Sequence, residues 1–430
     1  MNTSSLKTQI LTGGIDSCLT DSLSVLPQNV PAQRERYARA VDAFTELYGD
    51  GEVSLYSVGG RSEISGNHTD HNYGRVIAAA VNLDILAVVK PTDNGVVRIK
   101  SEGFDEDVVT PDAIPAPDSS KFFTSAAIIA GMEKAFLNAG YNIGGFSAYT
   151  TSNVLKGSGI SSSAAFEVMV GNILNYLYND GKVSNVEIAK MAQFAENEYF
   201  GKPCGLMDQT ACAVGGFITI DFADPKNPVI EKLDFDLTAA GYSLCIVNTG
   251  GNHADLNEDY ASVPAEMKSV ARALGVSVLR ETSREELDKL LEKKGIREEL
   301  GDRAILRAYH FFAENERVAA QVSALKAGEL AGFLSGVTAS GNSSFRFLQN
   351  VYTTKNVREQ GLSLALCLTE EFLRGKSGVC RVHGGGFAGT IQAFIPLDDV
   401  EEYAAKMNAV FGEGSCHILS VRKAGACRVC

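Results

Sequence analysis

The chain has 430 residues, of which 45% are hydrophobic, and a formal net charge of −13. That length accommodates two domains with separate cores, and the acidic balance excludes nucleic acid or an anionic membrane surface as the main partner. No run approaches a membrane span, no secretory signal follows Met1, and nine scattered cysteines without a framework fit a reducing cytoplasm.

After a mixed segment containing Pro27 and Pro31, the residues Tyr37, Val41, Phe44 and Leu47 recur at helical spacing, and Gly49 and Gly51 end that helix. Val53–Val58 is predicted as a strand, Gly59–Gly74 as a polar, histidine-bearing connection, and Val76–Val89 as a long apolar strand. Residues 91–120 read as a hairpin and a loop, Ser125–Ala139 as a helix, and Phe146–Thr150 as a strand. That strand delivers the chain to Gly157-Ser158-Gly159-Ile160-Ser161-Ser162-Ser163-Ala164-Ala165, after which Phe166, Val170, Ile173 and Leu177 give one apolar face to a helix. A helix over Val186–Glu198 leads into Cys204-Gly205-Leu206-Met207-Asp208-Gln209, and a hairpin-like pair covers Gly216–Asp221 and Val229–Asp234.

Leu244–Val247 is the next strand, and residues 262–334 are charged and helical, with the run from Arg280 to Arg303 read as an exposed face. A helix over Leu362–Leu373 and strands over Val379–Val382 and Thr390–Ile395 follow, the two strands flanking Gly384-Gly385-Gly386-Phe387-Ala388-Gly389. A weakly marked boundary near residue 240 divides the chain into 1–240 and 241–430.

Three segments carry chemistry. The glycine- and serine-rich loop enters a helix N-terminus, where unpaired N–H groups and the positive end of the helix dipole suit a phosphate. Gly375-Lys376-Ser377 is not a second such loop, because Glu370 stands where a P-loop needs its first glycine. In Gly60–Gly74, Asn67, His68, Asp70 and His71 are short polar side chains that can bracket vicinal hydroxyls; a zinc site is the alternative reading, and a plain polar loop the bland one. Asp208, in an otherwise apolar stretch, needs a cation or a role in catalysis. Glu196 reads on spacing alone as a surface residue, and Cys427-x-x-Cys430 lacks the second pair that a metal site requires.

Together these segments resemble the GHMP small-molecule kinases and, within them, the galactokinase family. The family's sugar signature matches Gly60–Gly74, its phosphate motif Gly157–Ala164, its Cys-Gly-x-Met-Asp-Gln segment Cys204–Gln209, and its last glycine motif Gly384–Gly389, all in family order. The resemblance implies an α+β, two-lobed fold with the site in the cleft, and a magnesium- and ATP-dependent sugar 1-kinase acting on galactose. It implies that Arg61 faces the transferred phosphoryl, and that Asp208 meets the anomeric hydroxyl either as base or as the carboxylate that orients it. Gly157, Ser158, Gly159, Ile160, Ser161, Ser162 and Ser163 would cradle the phosphates, with Ser163 and Glu196 on magnesium. Asn67, His68, Asp70, Asp208 and Tyr260 would contact the sugar. Partners would be ATP and a small sugar, and the oligomeric state stays open.

The departures bear on substrate. Asn67 stands where the family carries a Glu that contacts the primary hydroxyl, so a uronic acid such as galacturonate becomes an alternative substrate, while Glu63 in place of the family's Asn returns a negative charge nearby. A galactokinase-like sugar sensor without turnover is the further alternative. No Trp is present, which leaves Phe122 and Phe123 as candidates for an adenine contact.

Overall fold

The computed structural model describes residues 1–110, 117, 120, 122–154, 159–251 and 256–429. The chain opens with helices α1 (Thr3–Leu11) and α2 (Val30–Tyr48) and continues into strands β1 (Ser54–Ser65) and β2 (Arg75–Thr92). Hairpin β3 (Val97–Ser101) and β4 (Glu106–Val109), helix α3 (Ser125–Asn138) and strand β5 (Gly145–Ser152) follow. Helices α4 (Ser162–Tyr178), α5 (Asn185–Phe194) and α6 (Met207–Val214) precede hairpin β6 (Phe217–Asp221) and β7 (Val229–Leu233). Strand β8 (Tyr242–Asn248) leads into helices α7 (Asn257–Ala273), α8 (Arg284–Leu291), α9 (Ile296–Leu300), α10 (Asp302–Lys326), α11 (Leu330–Ser343) and α12 (Gly361–Phe372). Strands β9 (Val379–Val382) and β10 (Thr390–Pro396), helix α13 (Val400–Phe411), and strands β11 (Cys416–Leu419) and β12 (Cys427–Arg428) complete the description.

These strands form an eight-stranded sheet, with the path β12-β1-β2-β5-β3-β4 and the β6–β7 hairpin joined to β2, and a four-stranded sheet ordered β11-β8-β10-β9. Strand β2 is long enough to pair with β6 near its start (Ile77 opposite Thr219) and with β5 near its end (Val88 opposite Tyr149) along the same edge. Side chains of alternate residues point to opposite faces of the large sheet. Tyr56, Val58, Ala87 and Val89 therefore join α3–α6 in one core, while Leu55, Leu86 and Val88 pack on the other face. Leu6, Ile10, Tyr37 and Phe44 of α1 and α2 cover that second face, which gives the N-terminal segment a packing role. Each such buried side chain stabilises the fold by roughly 1.5–3 kcal/mol.

Two sequence expectations change. Strand β1 does not end at Val58 but runs on through Gly60, Arg61 and Glu63 to Ser65, so half of the expected polar connection is buried strand. The partners that make this tolerable come from far along the chain: Ser62 with His383 and Gln392, Glu63 with Arg381, and Ser65 with Gln321. Arg280 is not part of an exposed face, because its guanidinium pairs with Asp221 at 2.9 Å and donates to Asn315. Among the described residues no helix is long and apolar enough to cross a membrane, no group of His, Cys, Asp or Glu is arranged to hold a metal ion, and the cysteines are free thiols.

Candidate active site

Strand β1 brings Arg61 against the turn that opens α4. A Cβ on Gly60 would lie 2.6 Å from Ile160 Cγ2 and 2.7 Å from its carbonyl oxygen, so only glycine lets the two segments approach this closely. The Arg61 amide then donates to the Ile160 carbonyl at 3.0 Å. The Arg61 guanidinium forks onto Asp208, with Nε to Oδ1 at 2.8 Å and Nη2 to Oδ2 at 2.6 Å, while Nη1 donates to the Gly159 carbonyl. Ser161 Oγ donates to the same Asp208 Oδ2. Burial pushes the Asp208 carboxyl up, but the Arg61 charge and the hydrogen bonds from Ser161 and Arg61 outweigh it and hold the group below its ordinary value.

Ser161 sits in a left-handed conformation (φ 58°) at the N-cap of α4, and its hydroxyl is directed to Asp208 instead of capping the helix. The first N–H groups of a 17-residue helix are thus left without a side-chain cap beside Arg61, an arrangement that attracts an anion. Ser162 opens the helix, Ile160 is fully buried, and Gly157 and Ser158 lie outside the described residues.

Next to this terminus is a cluster of carboxylates. Glu196 is not a surface residue: it is buried on the π-helical turn that extends α5, with Ser163 Oγ at 3.5 Å and Lys202 Nζ at 3.0 Å from the same oxygen. Gln209 Nε2 bridges Glu196 (2.7 Å) and Glu167 (3.1 Å). Burial, and then the Glu196 charge, push the Glu167 carboxyl well above its ordinary value. Ser163, Glu196 and Glu167 present hard oxygens, and a lysine ammonium already rests on one of them, so the chemistry of this corner fits a hard cation. Glu167 lies four residues after Ser163 on α4 and shares its face, a helical spacing that a reading of the sequence could have used.

Asn67, His68, Asp70 and Tyr260 form a further group, whose Asp70 carboxyl feels the Asp208 charge. His68 Nε2 meets the Gly385 carbonyl at 3.0 Å, and the Tyr260 hydroxyl donates to the Gly386 carbonyl at 2.8 Å, its ring edge-on to Phe387. Burial, followed by the Asp259 charge, pushes the Tyr260 phenol up to about 12. Burial raises the Asp70 carboxyl; the His68 charge opposes this, and the nearby Asp208 charge adds to it. Asn67 is fully buried and its amide is committed to protein: Nδ2 donates to the Gly384 carbonyl at 2.7 Å and to Glu63, while Oδ1 accepts from Asn350 and Ser344. A contact from Asn67 to substrate therefore requires one of these partners to leave. The negative charge that Glu63 was expected to return to the pocket is paired with buried Arg381 at 2.9 Å.

Helix α10 holds the turn before His68 in place. Glu314 accepts from the Gly66 amide at 3.0 Å and from Ser340, and His310 Nε2 meets the Asn67 carbonyl at 2.9 Å. Burial alone would raise the Glu314 carboxyl, but His310, Arg317 and Arg381 bring it down to about 2. His310 and Glu314 on α10, Asn350 beyond the Ser344–Leu348 turn and Arg381 on β9 share no local pattern, and the sequence reading did not single them out.

Two family models match this chain. The GHMP kinases N terminal domain covers residues 125–216, and the galactokinase galactose-binding signature covers residues 42–91. A galactokinase from Streptomyces coelicolor is 32% identical over 374 residues, which is 86% of this chain and 92% of that protein. One from Streptomyces lividans is 34% identical over 357 residues, covering 82% and 84% respectively. The fold matches Lactococcus lactis galactokinase, solved with galactose, at a TM-score of 0.74 and 24% identity, covering 91% of this chain and 99% of that one. It also matches Methanococcus jannaschii mevalonate kinase at a TM-score of 0.60 and 16% identity, covering 86% and 99%. The galactose-binding signature spans Arg61 and the His68–Asp70 turn, and the kinase domain spans the α4 terminus and Asp208, so the segments that converge here are those the models recognise; the chain belongs to the galactokinase family of GHMP kinases.

Proposed function

We propose that this protein transfers the γ-phosphoryl group of ATP to the anomeric hydroxyl of galactose, giving galactose 1-phosphate. The observation that carries this reading is the Arg61–Asp208 fork set directly beside the uncapped N-terminus of α4. Phosphoryl transfer passes through a loose transition state, so positioning and charge stabilisation do most of the work. The α4 amides, with Gly157–Ser163, would bind the phosphates, and Arg61 would face the transferred group. Asp208, held anionic by Arg61, would accept from the anomeric hydroxyl and orient it; its lowered pKa makes it a weak base and favours the orienting role. His68, Asp70 and Tyr260, together with Asn67, would hold the sugar. Ser163 and Glu196 would hold a magnesium ion, which when bound neutralises phosphate charge. Exposed Phe123, edge-on to Phe200 close to Lys202, is the candidate for adenine contact. We place the lobe division at residue 240, a reading supported by the start of the four-stranded sheet at Tyr242, and the enzyme in the cytoplasm, in keeping with the free thiols among its described residues.

One observation favours a second reading. With Glu63 paired to Arg381 and an amide at position 67, neither of these two positions presents an unpaired anion to a C6 carboxylate, so galacturonate is the alternative substrate. An ADP-release assay with magnesium-ATP against galactose, galacturonate, glucose, N-acetylgalactosamine and arabinose tests both readings, with Asp208→Ala as the blank. Turnover on galactose that is absent in the blank is the expected result, and turnover on galacturonate alone would transfer the function to the second substrate. Binding without turnover on any sugar would make the protein a sensor.

A further inference from the structure

The side chains at the sugar end converge on one short loop. Asn67 donates to the Gly384 carbonyl at 2.7 Å, Tyr260 to the Gly386 carbonyl at 2.8 Å, and His68 Nε2 sits 3.0 Å from the Gly385 carbonyl. The Gly385 carbonyl has a second donor, Asn350 Nδ2 at 3.1 Å, and the same Nδ2 reaches Asn67 Oδ1 at 2.8 Å. Asn350 is fully buried just beyond the π-helical turn Ser344–Leu348, and its backbone carbonyl accepts from the Phe387 amide. Two acceptors fix which end of its amide is nitrogen. The remaining atom, Asn350 Oδ1, is buried and meets no donor among the described residues.

A buried acceptor left unmatched costs roughly 1–3 kcal/mol, so its place beside Asn67 and His68 calls for a role. Loop carbonyls and sugar hydroxyls are alike as acceptors, and a polyol that enters this end of the cleft must exchange with the carbonyls for the same donors. A hydroxyl also brings a proton, which a carbonyl lacks, and Asn350 Oδ1 is the acceptor set to take it. We propose that Asn350 is a specificity-determining residue of the sugar site: its amide oxygen accepts from one substrate hydroxyl while its nitrogen stays on Asn67. The inference rests on the sugar-kinase reading and adds to it a residue outside the recognised motifs.

The test is steady-state kinetics of wild type and Asn350→Leu on galactose and on its 2-, 3-, 4- and 6-deoxy analogues. On galactose the variant should lose about tenfold in kcat/KM, chiefly through KM. On the one analogue that lacks the contacted hydroxyl, the two enzymes should differ little. A purely structural role would depress every sugar by the same factor, and that uniform ratio overturns the proposal while leaving the kinase reading intact. If wild type turns over none of these sugars, the kinase reading fails and the proposal with it. Should Asn350→Leu not fold, Asn350→Ser carries the same comparison.

Discussion

Asn67→Glu restores the carboxylate that the family carries at this position, yet the structure predicts that it destabilises the protein. Asn67 Nδ2 lies 3.2 and 3.3 Å from the two Glu63 oxygens, so the substitution replaces a hydrogen bond with two facing carboxylates. Two like charges about 4 Å apart repel by about 4 kcal/mol at an effective dielectric of 20. The Gly384 carbonyl also loses its donor, which adds to the penalty. Arg381 on Glu63, and the Asn350 and Ser344 donors that remain for the new side chain, offset part of it. The net loss should be about 2–4 kcal/mol at neutral pH. Its pH dependence has a defined sign: the introduced carboxyl has a raised folded pKa, so the penalty is small below its unfolded value of about 4.3 and grows as pH rises. Chemical denaturation of both proteins at pH 5 and pH 8 reads this directly, with the wider gap expected at pH 8. A penalty that is absent, or equal at the two pH values, would refute the reasoning. Any change in sugar preference in this variant has to be judged against that loss of stability.

The same buried network makes three further predictions. Arg381→Met should cost about 3–5 kcal/mol by leaving Glu63 buried and unpaired, and adding Glu63→Leu should recover part of that loss; strict additivity in denaturation experiments would contradict the pairing. Glu314→Gln should cost about 3 kcal/mol near pH 7, because a carboxyl brought down to about 2 stabilises the fold above its ordinary pKa and loses that contribution as pH falls toward 2. The gap between the two proteins should therefore narrow below about pH 4.5; a gap constant from pH 7 to pH 3 would show that charge is not the cause. In Gly386→Ala, a residue at φ 80° acquires a Cβ 2.0 Å from the Asn350 carbonyl, so the loop must shift, and faster amide exchange over residues 384–389 with a lower kcat/KM is the expected result.

Much of the scaffold was legible because local pattern and final structure agree. The apolar run of β2, the face formed by Val170 and Ile173 with the partly buried Phe166 and Leu177 on α4, and the paired β6 and β7 each follow from periodicity that tertiary packing preserves. Arg61, Ser161 and Asp208 were legible as separate motifs, and the structure adds that they meet in one hydrogen-bonded fork. The second half of β1 was not legible, because Arg61, Ser62, Glu63 and Ser65 carry the signature of an exposed loop while being buried. Their burial depends on His383, Gln392, Arg381, Gln321 and Asp208, all far away in the chain, and no local window contains that information. The surroundings of Asn67 were not legible for a related reason. Its type was read against a family position, whereas its environment is set by Glu63 four residues away on one side and by Asn350 and Gly384 on the other.

The most direct test of the central claim is the identity of the product. Wild-type protein incubated with magnesium-ATP and galactose should yield a hexose phosphate whose phosphorus couples, in ³¹P–¹H and ³¹P–¹³C NMR, to the anomeric proton and carbon, and Asp208→Ala should yield none. Coupling to any other carbon, or product formed equally well by Asp208→Ala, would contradict a site in which Asp208 presents the anomeric hydroxyl to a phosphoryl group held at the start of α4.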